Sequence, residues 1–425
     1  MLDIKYIREH TEEVKKTIAL RGLAVDLEHV LALDKERGQV QQNVDKLRAE
    51  RNRLAEEVEK VADRPQKESF FAKGKALRQE LDALEKQLAI TQQSLHQALA
   101  VVPNLLQSDV PSGVGEEDDV EIKKSGTVPA FSFPVRDHVT LGEELDLIDI
   151  KRAAKVSGSR FGYLKNEAAL LEFALIQLAM DTLVKESFTP VVPPVIIKKE
   201  ITQGLGYMQF GGNEQYYYLH EPQEKQDFYL VGTAEHAIVP MYADETFPAN
   251  ALPKRLVAFS SAFRREAGTY GKDTRGILRV HQFDKVEMVS FVKPEDAEKE
   301  HQFLLAMAEK LVGLLGLPYR VMALCAGDLS PVSAKTYDIE TWMPGQDRYR
   351  ETHSISNTLD YQARRLNIRY HDGKEKGFVH ILNGTAFAIG RTLIAILENY
   401  QQADGSVKVP EILQKYTGFS EIKPK

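Results

Sequence analysis

A single cysteine, Cys325, stands in 425 residues. One thiol cannot close an internal disulfide or supply the paired thiolates of a structural zinc site, so any metal chemistry must run on carboxylates, hydroxyls or histidine. Long apolar runs are also missing. No stretch approaches the roughly 18 uninterrupted apolar residues of a membrane helix. The opening Met1-Leu2-Asp3-Ile4-Lys5 begins a polar amphipathic segment, not a basic stretch followed by an apolar one. A cytoplasmic protein without a membrane span is the expectation. Positive charge is not in excess either: 55 Lys+Arg against 62 Asp+Glu leave a net charge of −7, which argues against a non-specific coat for nucleic acid. The ordinary apolar and charged fractions exclude a disordered or collagen-like chain, and the length suggests two or three domains.

Two stretches keep a strict seven-residue repeat. Val30, Leu33, Arg37, Val40, Val44, Leu47, Arg51, Leu54, Val58 and Val61 alternate spacings of three and four. A second set runs through Phe70, Gly74, Leu77, Leu81, Leu84, Leu88, Thr91, Leu95 and Ala98. Each is a coiled-coil seam, the first interrupted twice by arginine. The segment Ala62-Asp63-Arg64-Pro65-Gln66 between them predicts an antiparallel helical hairpin over about 28–99. At 1.5 Å per residue each arm reaches on the order of 50 Å, so the hairpin is expected to project into solvent. Residues 30–99 hold 13 basic and 12 acidic side chains, with local basic patches that include Arg48, Arg51, Lys73, Lys75 and Arg78. Such patches suit a phosphate backbone and equally a solvated face, and the seams alone fit a dimerisation or spacer coiled coil. Residues 1–28 read as one shorter helix, begun by Asp3 and ended near Gly22. Pro103-Asn104, Val110-Pro111-Ser112-Gly113 and the acidic run 116–119 mark a linker over 104–130, with a second domain over 131–425.

In that second domain the segment 166–186 is apolar on most of its circumference, which fits a helix buried in a large core or at a subunit interface. It leads into Phe188–Ile197, whose β-branched residues favour a strand and whose prolines confine it to an edge. The segment 255–292 predicts an antiparallel pair around the polar loop 267–276. Arg264 and Glu266 then share one face, and Arg279, His281, Phe283, Lys285 and Glu287 share another alternation, while Leu278, Val280, Val286 and Met288 fall opposite. Unpaired charges cost several kcal/mol each when buried, so this face is either solvated or a ligand site. The clean segregation favours a site. Arginines fork onto phosphate and an aromatic ring stacks a base, so a nucleoside triphosphate is the natural ligand.

Further on, Glu351 precedes the hydroxyl of Ser354 by three residues in Tyr349-Arg350-Glu351-Thr352-His353-Ser354. Oxygen donors of this kind suit Mg²⁺, although the same spacing also caps helices or strands. Residues 377–382 read as a strand, Asn383-Gly384-Thr385 as a turn, and 386–400 as an apolar helix with Arg391 in its first half. That arginine needs an anion, either a phosphate or a structural carboxylate.

These stretches together resemble the bacterial-type seryl-tRNA synthetases, a family of class II aminoacyl-tRNA synthetases, over nearly the full length. The resemblance rests on Val156–Phe161, Pro193-Pro194, Gly232-Thr233-Ala234-Glu235, Phe263–Gly268, Asp273-Thr274-Arg275-Gly276, His281–Met288, Ala334–Asp338, Gln362–Arg365 and Asn383–Arg391, in family order. It implies an α+β fold: an N-terminal antiparallel coiled-coil hairpin that binds tRNA, then a class II catalytic domain with a mainly antiparallel sheet flanked by helices. It also implies a homodimer through the motif 1 region at Pro193 and Pro194.

Roles follow from the same resemblance. Arg264 would meet the α-phosphate of ATP and the serine carboxylate, with Arg391 as the second catalytic arginine. Arg265, Glu266, Arg279, Phe283, Thr352 and His353 would complete the ATP site. Thr233, Ala234, Glu235, Glu287, Asn383 and Thr385 would form the serine site, with Glu287 on the ammonium. Glu351 and Ser354 would hold Mg²⁺. L-serine and tRNA(Ser) are the implied partners, with tRNA(Sec) left open. The chain departs from the family's usual residues at Arg265, where a small serine is common, at Thr352-His353, at Thr385 in place of serine and at Ala386 in place of glycine. The rivals are a paralogue that charges a carrier protein, which would lack the arm, and a non-catalytic RNA-binding descendant, which would have lost Arg264, Glu287 or Arg391. Deletion of residues 30–99 is expected to leave ATP–pyrophosphate exchange largely intact while abolishing tRNA charging. Charging that survives the deletion would reduce the arm to a spacer.

Overall fold

The computed structural model describes every residue except 61–62, 211–213, 222–225, 268–274 and 425. Val61 and Ala62 of the first seam and turn, and Gly268, Asp273 and Thr274 of the quoted motifs, therefore lie outside the described residues. The chain forms two compact units, Met1–Ala19 with Leu23–Pro103, and Leu20–Gly22 with Asn104–Lys425.

The first unit begins with two short helices where one was expected, α1 (Ile4–Glu9) and α2 (Thr11–Leu20). Asp3 does cap the start, accepting from the Lys5 amide at 2.8 Å, but the chain leaves helical geometry at His10. Then come α3 (Leu27–Lys60) and α4 (Arg64–Ala100), 34 and 37 residues long. Pro65 sits in the first turn of α4, where its missing amide proton costs nothing. Val40, Val44, Leu81 and Leu88 close the seam between them. Arg37, a charged seam residue, is explained by Asp34, which it meets at 2.8 Å and which also faces Arg8 at 3.4 Å. The other seam arginine, Arg51, turns out to solvent.

The second unit is built on an eight-stranded sheet. Its strands are β1 (Val120–Ser125), β2 (Thr189–Val191), β3 (Lys254–Phe263), β4 (Gln282–Val292), β5 (Tyr319–Ala323), β6 (Lys335–Met343), β7 (Arg348–Asn357) and β8 (His380–Ala388). Their order across the sheet is β1-β5-β6-β7-β8-β4-β3-β2, antiparallel throughout except for the β2–β3 pair. Residues 104–130, expected as a linker, instead contribute the edge strand β1, paired with β5. Phe188–Ile197 divides into β2, an edge strand as its prolines require, and Ile196–Lys198, which joins a separate small sheet with Tyr218–Glu221 and Gln226–Leu230. Asn383-Gly384-Thr385, expected as a turn, lies inside β8, between β4 and β7. Burial on both faces there outweighs the local turn chemistry of Asn-Gly.

One face of this sheet is covered by α5 (Asn166–Lys185), α6 (Ala297–Leu314) and α7 (Ile389–Asn399) around a core that includes Val286, Met288, Ile355 and Phe387. Arg255 on β3 locks α6 down with two 2.7 Å bonds to Glu300. On the same side the carboxyl of Glu172 in α5 meets Asp284 of β4. Burial, then the hydrogen bond and charge of Asp284, push Glu172 up to about 8 from its ordinary 4.5. The folded state thus holds a proton that the unfolded chain releases, and stability falls as pH rises through that window. Glu172→Gln is expected to flatten the fall, which chemical denaturation midpoints between pH 5 and 8 would record.

Candidate functional site

The face of the sheet opposite these helices, part of which is packed by Leu205, Ile238, Ala363 and Leu366, holds a cavity of about 620 Å³. Strand alternation aims Phe283, Lys285 and Glu287 of β4 into it, while Val286 and Met288 go to the helix-covered core. This face is not solvated: Lys285 is 9% exposed and Glu287 1%. The two side chains pair with each other, and Lys285 also donates to the Thr233 hydroxyl at 3.3 Å.

Two β-bulges bring the remaining groups onto the same face. In β8 the register with β4 slips so that Glu287 lies opposite Thr385 and Val286 opposite Phe387, which makes Ala386 the extra residue. Asn383, Thr385 and, past the bulge, Ala388 and Arg391 then all line the cavity. In β7 the register with β6 slips at Ile339/Glu340, which leaves Thr352 as the extra residue. Without that slip a spacing of three would send Glu351 and Ser354 to opposite faces; with it both line the cavity. Thr352 also borders the cavity, but its hydroxyl is engaged 2.7 Å from that of Thr341.

Arg264 and Glu266 lie just beyond the end of β3, and Arg279 and His281 just before β4, so neither pair belongs to the strand ladder. They are held from the ends. Arg264 donates from Nε to the Gly232 carbonyl at 3.1 Å, and its guanidinium stands 5.4 Å from the Phe283 ring centroid. Arg279 meets Glu266 at 3.5 Å. Glu266 sits at φ 51°, in the left-handed region. Arg391 binds Glu351 twice at 2.9 Å, through the carboxylate and the backbone carbonyl. Burial would raise the Glu351 carboxyl, but the charge and hydrogen bond of Arg391, with Arg264 and Lys285 behind it, hold it below the ordinary value.

At the closed end lies Glu235, 3% exposed, which accepts from the Tyr207 hydroxyl at 2.9 Å and from the Gln362 amide at 2.8 Å. Burial raises its pKa despite those bonds, and the nearby charge of Glu287 adds to the shift. His236 accepts the Gly232 amide proton at Nδ1 over 3.1 Å. Its pKa is lowered to about 3 by burial and by Arg264 and Lys285, so it stays neutral. Asn383 is buried, and its amide nitrogen has no partner among the described residues. That donor is left for a ligand.

Three expected residues do not reach the cavity. The imidazole of His353 turns to the helix side, 5.9 Å from the Phe387 ring centroid, opposite its neighbour Ser354 as strand alternation requires. Ala234 is fully buried in an apolar cluster. Arg265 points away from Arg264, as consecutive residues of an extended chain do, and lines a second hollow. Conversely, Tyr207, His236, Lys285 and Gln362 belong to the site without having been singled out for it. Two of them had a signal: Lys285 shares the alternation of Phe283 and Glu287, and Gln362 opens the quoted stretch Gln362–Arg365.

Among the described residues no group of three or more His, Cys, Asp or Glu side chains converges as a metal cage. Glu351 and Ser354 nonetheless share a face and are joined by Asp338, which stands opposite Ser354 in the register. These oxygens fit Mg²⁺, which usually takes one or two protein groups and completes its shell with phosphates and water.

The antiparallel sheet that carries this polar cavity is the core of a class II aminoacyl-tRNA synthetase: residues 217–400 match the family model described as the tRNA synthetase class II core domain (G, H, P, S and T). Residues 1–106 match the Seryl-tRNA synthetase N-terminal domain. Serine--tRNA ligase of Dictyoglomus turgidum is 43% identical, over 100% of both chains. The seryl-tRNA synthetase of Pyrococcus horikoshii complexed with ATP superposes with a TM-score of 0.92 at 40% identity, covering 100% of both chains. The cytoplasmic Serine-tRNA ligase of Naegleria fowleri in complex with AMP gives 0.88 at 29%, covering 100% of this chain and 99% of that one. The chain belongs to the seryl-tRNA synthetase family, with a helical arm and a class II core.

Replacing Arg391 by Gln removes the cation that holds Glu351 down, so the acidic limb of the residual ATP–pyrophosphate exchange should move to higher pH. Arg391→Lys, which keeps the charge, should leave the limb close to its original position.

Proposed function

We propose that the chain activates L-serine with ATP and transfers the seryl group to tRNA(Ser). The observation that supports this most directly is full-length similarity to serine--tRNA ligases, joined to a cavity that gathers arginines, carboxylates and hydroxyls. A volume of about 620 Å³ suits a nucleotide with a small amino acid.

In the first step a serine carboxylate oxygen attacks the α-phosphorus of ATP and pyrophosphate leaves. Arg264 and Arg391 meet the charge that develops on the phosphoryl oxygens, from positions already fixed by Gly232 and Glu351. Arg279 takes the terminal phosphates, Phe283 stacks the adenine and Glu266 faces the adenine edge. Glu351 and Ser354 would hold Mg²⁺, which when bound supplies positive charge to the phosphates. The serine ammonium goes to Glu287, and its hydroxyl lies among Thr233, Glu235, Thr385 and the unpartnered amide of Asn383. In the second step a hydroxyl of the terminal ribose attacks the acyl carbon and AMP leaves. Positioning is the main contribution there.

The N-terminal domain, residues 1–103, binds the tRNA body through its coiled-coil arm over about 28–99. Lys73, Lys75 and Arg78 are exposed on α4 and free to meet phosphates in that role, while Arg48 already spans the hairpin to Glu85 at 2.8 Å. A homodimer through β2 and the Pro193-Pro194 segment is supported by apolar side chains left open beside them: Leu170 is 51% exposed, Phe173 66% and Val192 83%. Cytoplasmic location accords with a single buried free thiol.

Purified protein should exchange pyrophosphate into ATP only when serine is present; no serine-dependent exchange would refute the assignment. Thr385→Val should lower kcat/KM for serine about ten- to a hundredfold, the effect of leaving a buried hydroxyl unpaired. It should lower alanine activation far less, because alanine has no hydroxyl to lose. Charging of tRNA(Ser) and tRNA(Sec) transcripts side by side answers which RNAs are accepted.

A further inference from the structure

Ser330, Pro331, Val332 and Ser333 line the reaction cavity, and the chemistry above does not use them. They belong to the segment just before β6, which lies outside the sheet ladder, yet five consecutive carbonyl oxygens there are all engaged. The Arg21 guanidinium donates to those of Leu329 at 3.5 Å, Ser330 at 3.1 Å and Ser333 at 2.5 Å. The Asn104 backbone amide donates to that of Pro331 at 2.8 Å, and its side-chain amide to that of Val332 at 2.9 Å. Arg21 follows α2 in the sequence but belongs to the second unit, where it is 6% exposed; Asn104 is 1% exposed. Burial pulls the pKa of Arg21 down to about 10, the mark of a charge held out of water. Solvent would satisfy the carbonyls of an ordinary surface loop without that cost, so the clamp serves the position of the loop.

Strand register fixes which part of the cavity this wall borders. The segment is tied to β7 by the Ala334 amide, which donates to the Asn357 carbonyl at 2.8 Å. Ser356 of β7 lies opposite Asn383 of β8, and Thr385 of β8 lies opposite Glu287 of β4. An amino acid with its ammonium on Glu287 and its side chain at Asn383 and Thr385 is therefore followed, across the sheet, by Ser356 and then by the clamped segment. The same clamp reaches the closed end: the Asn104 side chain also donates to the Thr358 carbonyl at 2.8 Å, and the Thr358 hydroxyl meets Gln362, the residue that holds Glu235. We infer that Arg21 is a positioning residue for amino-acid selection, which by clamping Leu329–Ser333 fixes a wall with room for the side chain of serine but not for the extra methyl group of threonine. The inference rests on the proposed serine-activating function and adds the element that sets its size limit. Hydrogen bonds to the hydroxyl cannot set that limit, because threonine offers the same hydroxyl. A wall held at every carbonyl can.

The test uses full-length protein carrying Arg21→Met, Arg21→Lys or Pro331→Ala, assayed by pyrophosphate exchange with serine and with threonine. Arg21→Met keeps an unbranched stem and loses every donor. It should raise KM for serine about tenfold, leave KM for ATP within about twofold, and cut the preference for serine over threonine in kcat/KM about tenfold. Arg21→Lys, which can still donate to the carbonyls, should recover most of that preference. Pro331→Ala loosens the wall itself with Arg21 in place, so it should lower the preference in the same direction even if Arg21→Met does not fold. An unchanged preference in the variants that fold, or KM for serine and ATP rising together at constant preference, would overturn the inference. Absence of serine-dependent exchange in the unaltered protein would instead strike the function on which it depends.

Discussion

Lys285 and Glu287 lie side by side on a central strand, almost wholly out of water. Either charge left alone there would cost several kcal/mol, so each makes the other possible. Their pairing fixes which face of β4 carries polar groups, and strand alternation then commits Val286 and Met288 to the opposite face and hence to the helices. A one-residue slip of β4 would bury both charges under α5 and α6 and expose the apolar residues. The pair therefore acts as a register lock for the strand on which the rest of the cavity is assembled.

Alternation alone would still scatter the site. β7 and β8 each insert one residue, Thr352 and Ala386, and each insertion moves the following polar groups onto the cavity side. The cost is local: a bulged residue loses its ladder partner and must be held by other means. Thr352 is held through its hydroxyl by Thr341 and by the Ile339 carbonyl, and Ala386 is packed into the core. Placing such irregularity beside the chemistry, on otherwise regular strands, keeps the reacting groups on the rigid part of the molecule.

Periodicity made the arm and the β3–β4 pair legible, because a seven-residue seam and a two-residue alternation are direct images of packing. The helix pair and the polar face at Phe283, Lys285 and Glu287 follow from that alone. Asn383-Gly384-Thr385 misled for the opposite reason: its local chemistry is that of a turn, and only the neighbouring strands β4 and β7 make it a strand. Bulges have no periodic signature, so Glu351 could not be joined to Ser354 before the register was seen. The carboxylate of Glu235 was marked by its motif, but Tyr207 and Gln362, which hold it, come from 28 and 127 residues away. No spacing rule connects them. The linker failed similarly, since pairing with β5 turns Val120–Ser125 into an edge strand.

Three cations of the cavity are already matched by protein carboxylates: Arg391 with Glu351, Arg279 with Glu266, Lys285 with Glu287. A cluster of unpaired arginines in a half-closed cavity would repel itself and lower the stability of the sheet that bears it. Pairing removes that penalty and keeps each guanidinium in one orientation. It also changes what binding has to do. A phosphate approaching Arg391 displaces or shares a carboxylate partner instead of desolvating a free charge, and an ammonium approaching Glu287 does the same with Lys285. The net gain from each ionic contact is then smaller than that of a free ion pair in the same place. Selectivity must come from groups that are not exchanged, and the best placed of these are the unpartnered amide of Asn383 and the hydroxyl of Thr385 across from Glu287. A ligand that satisfies those neutral groups gains hydrogen bonds no protein partner was making, which is where a hydroxyl can be told from a hydrogen.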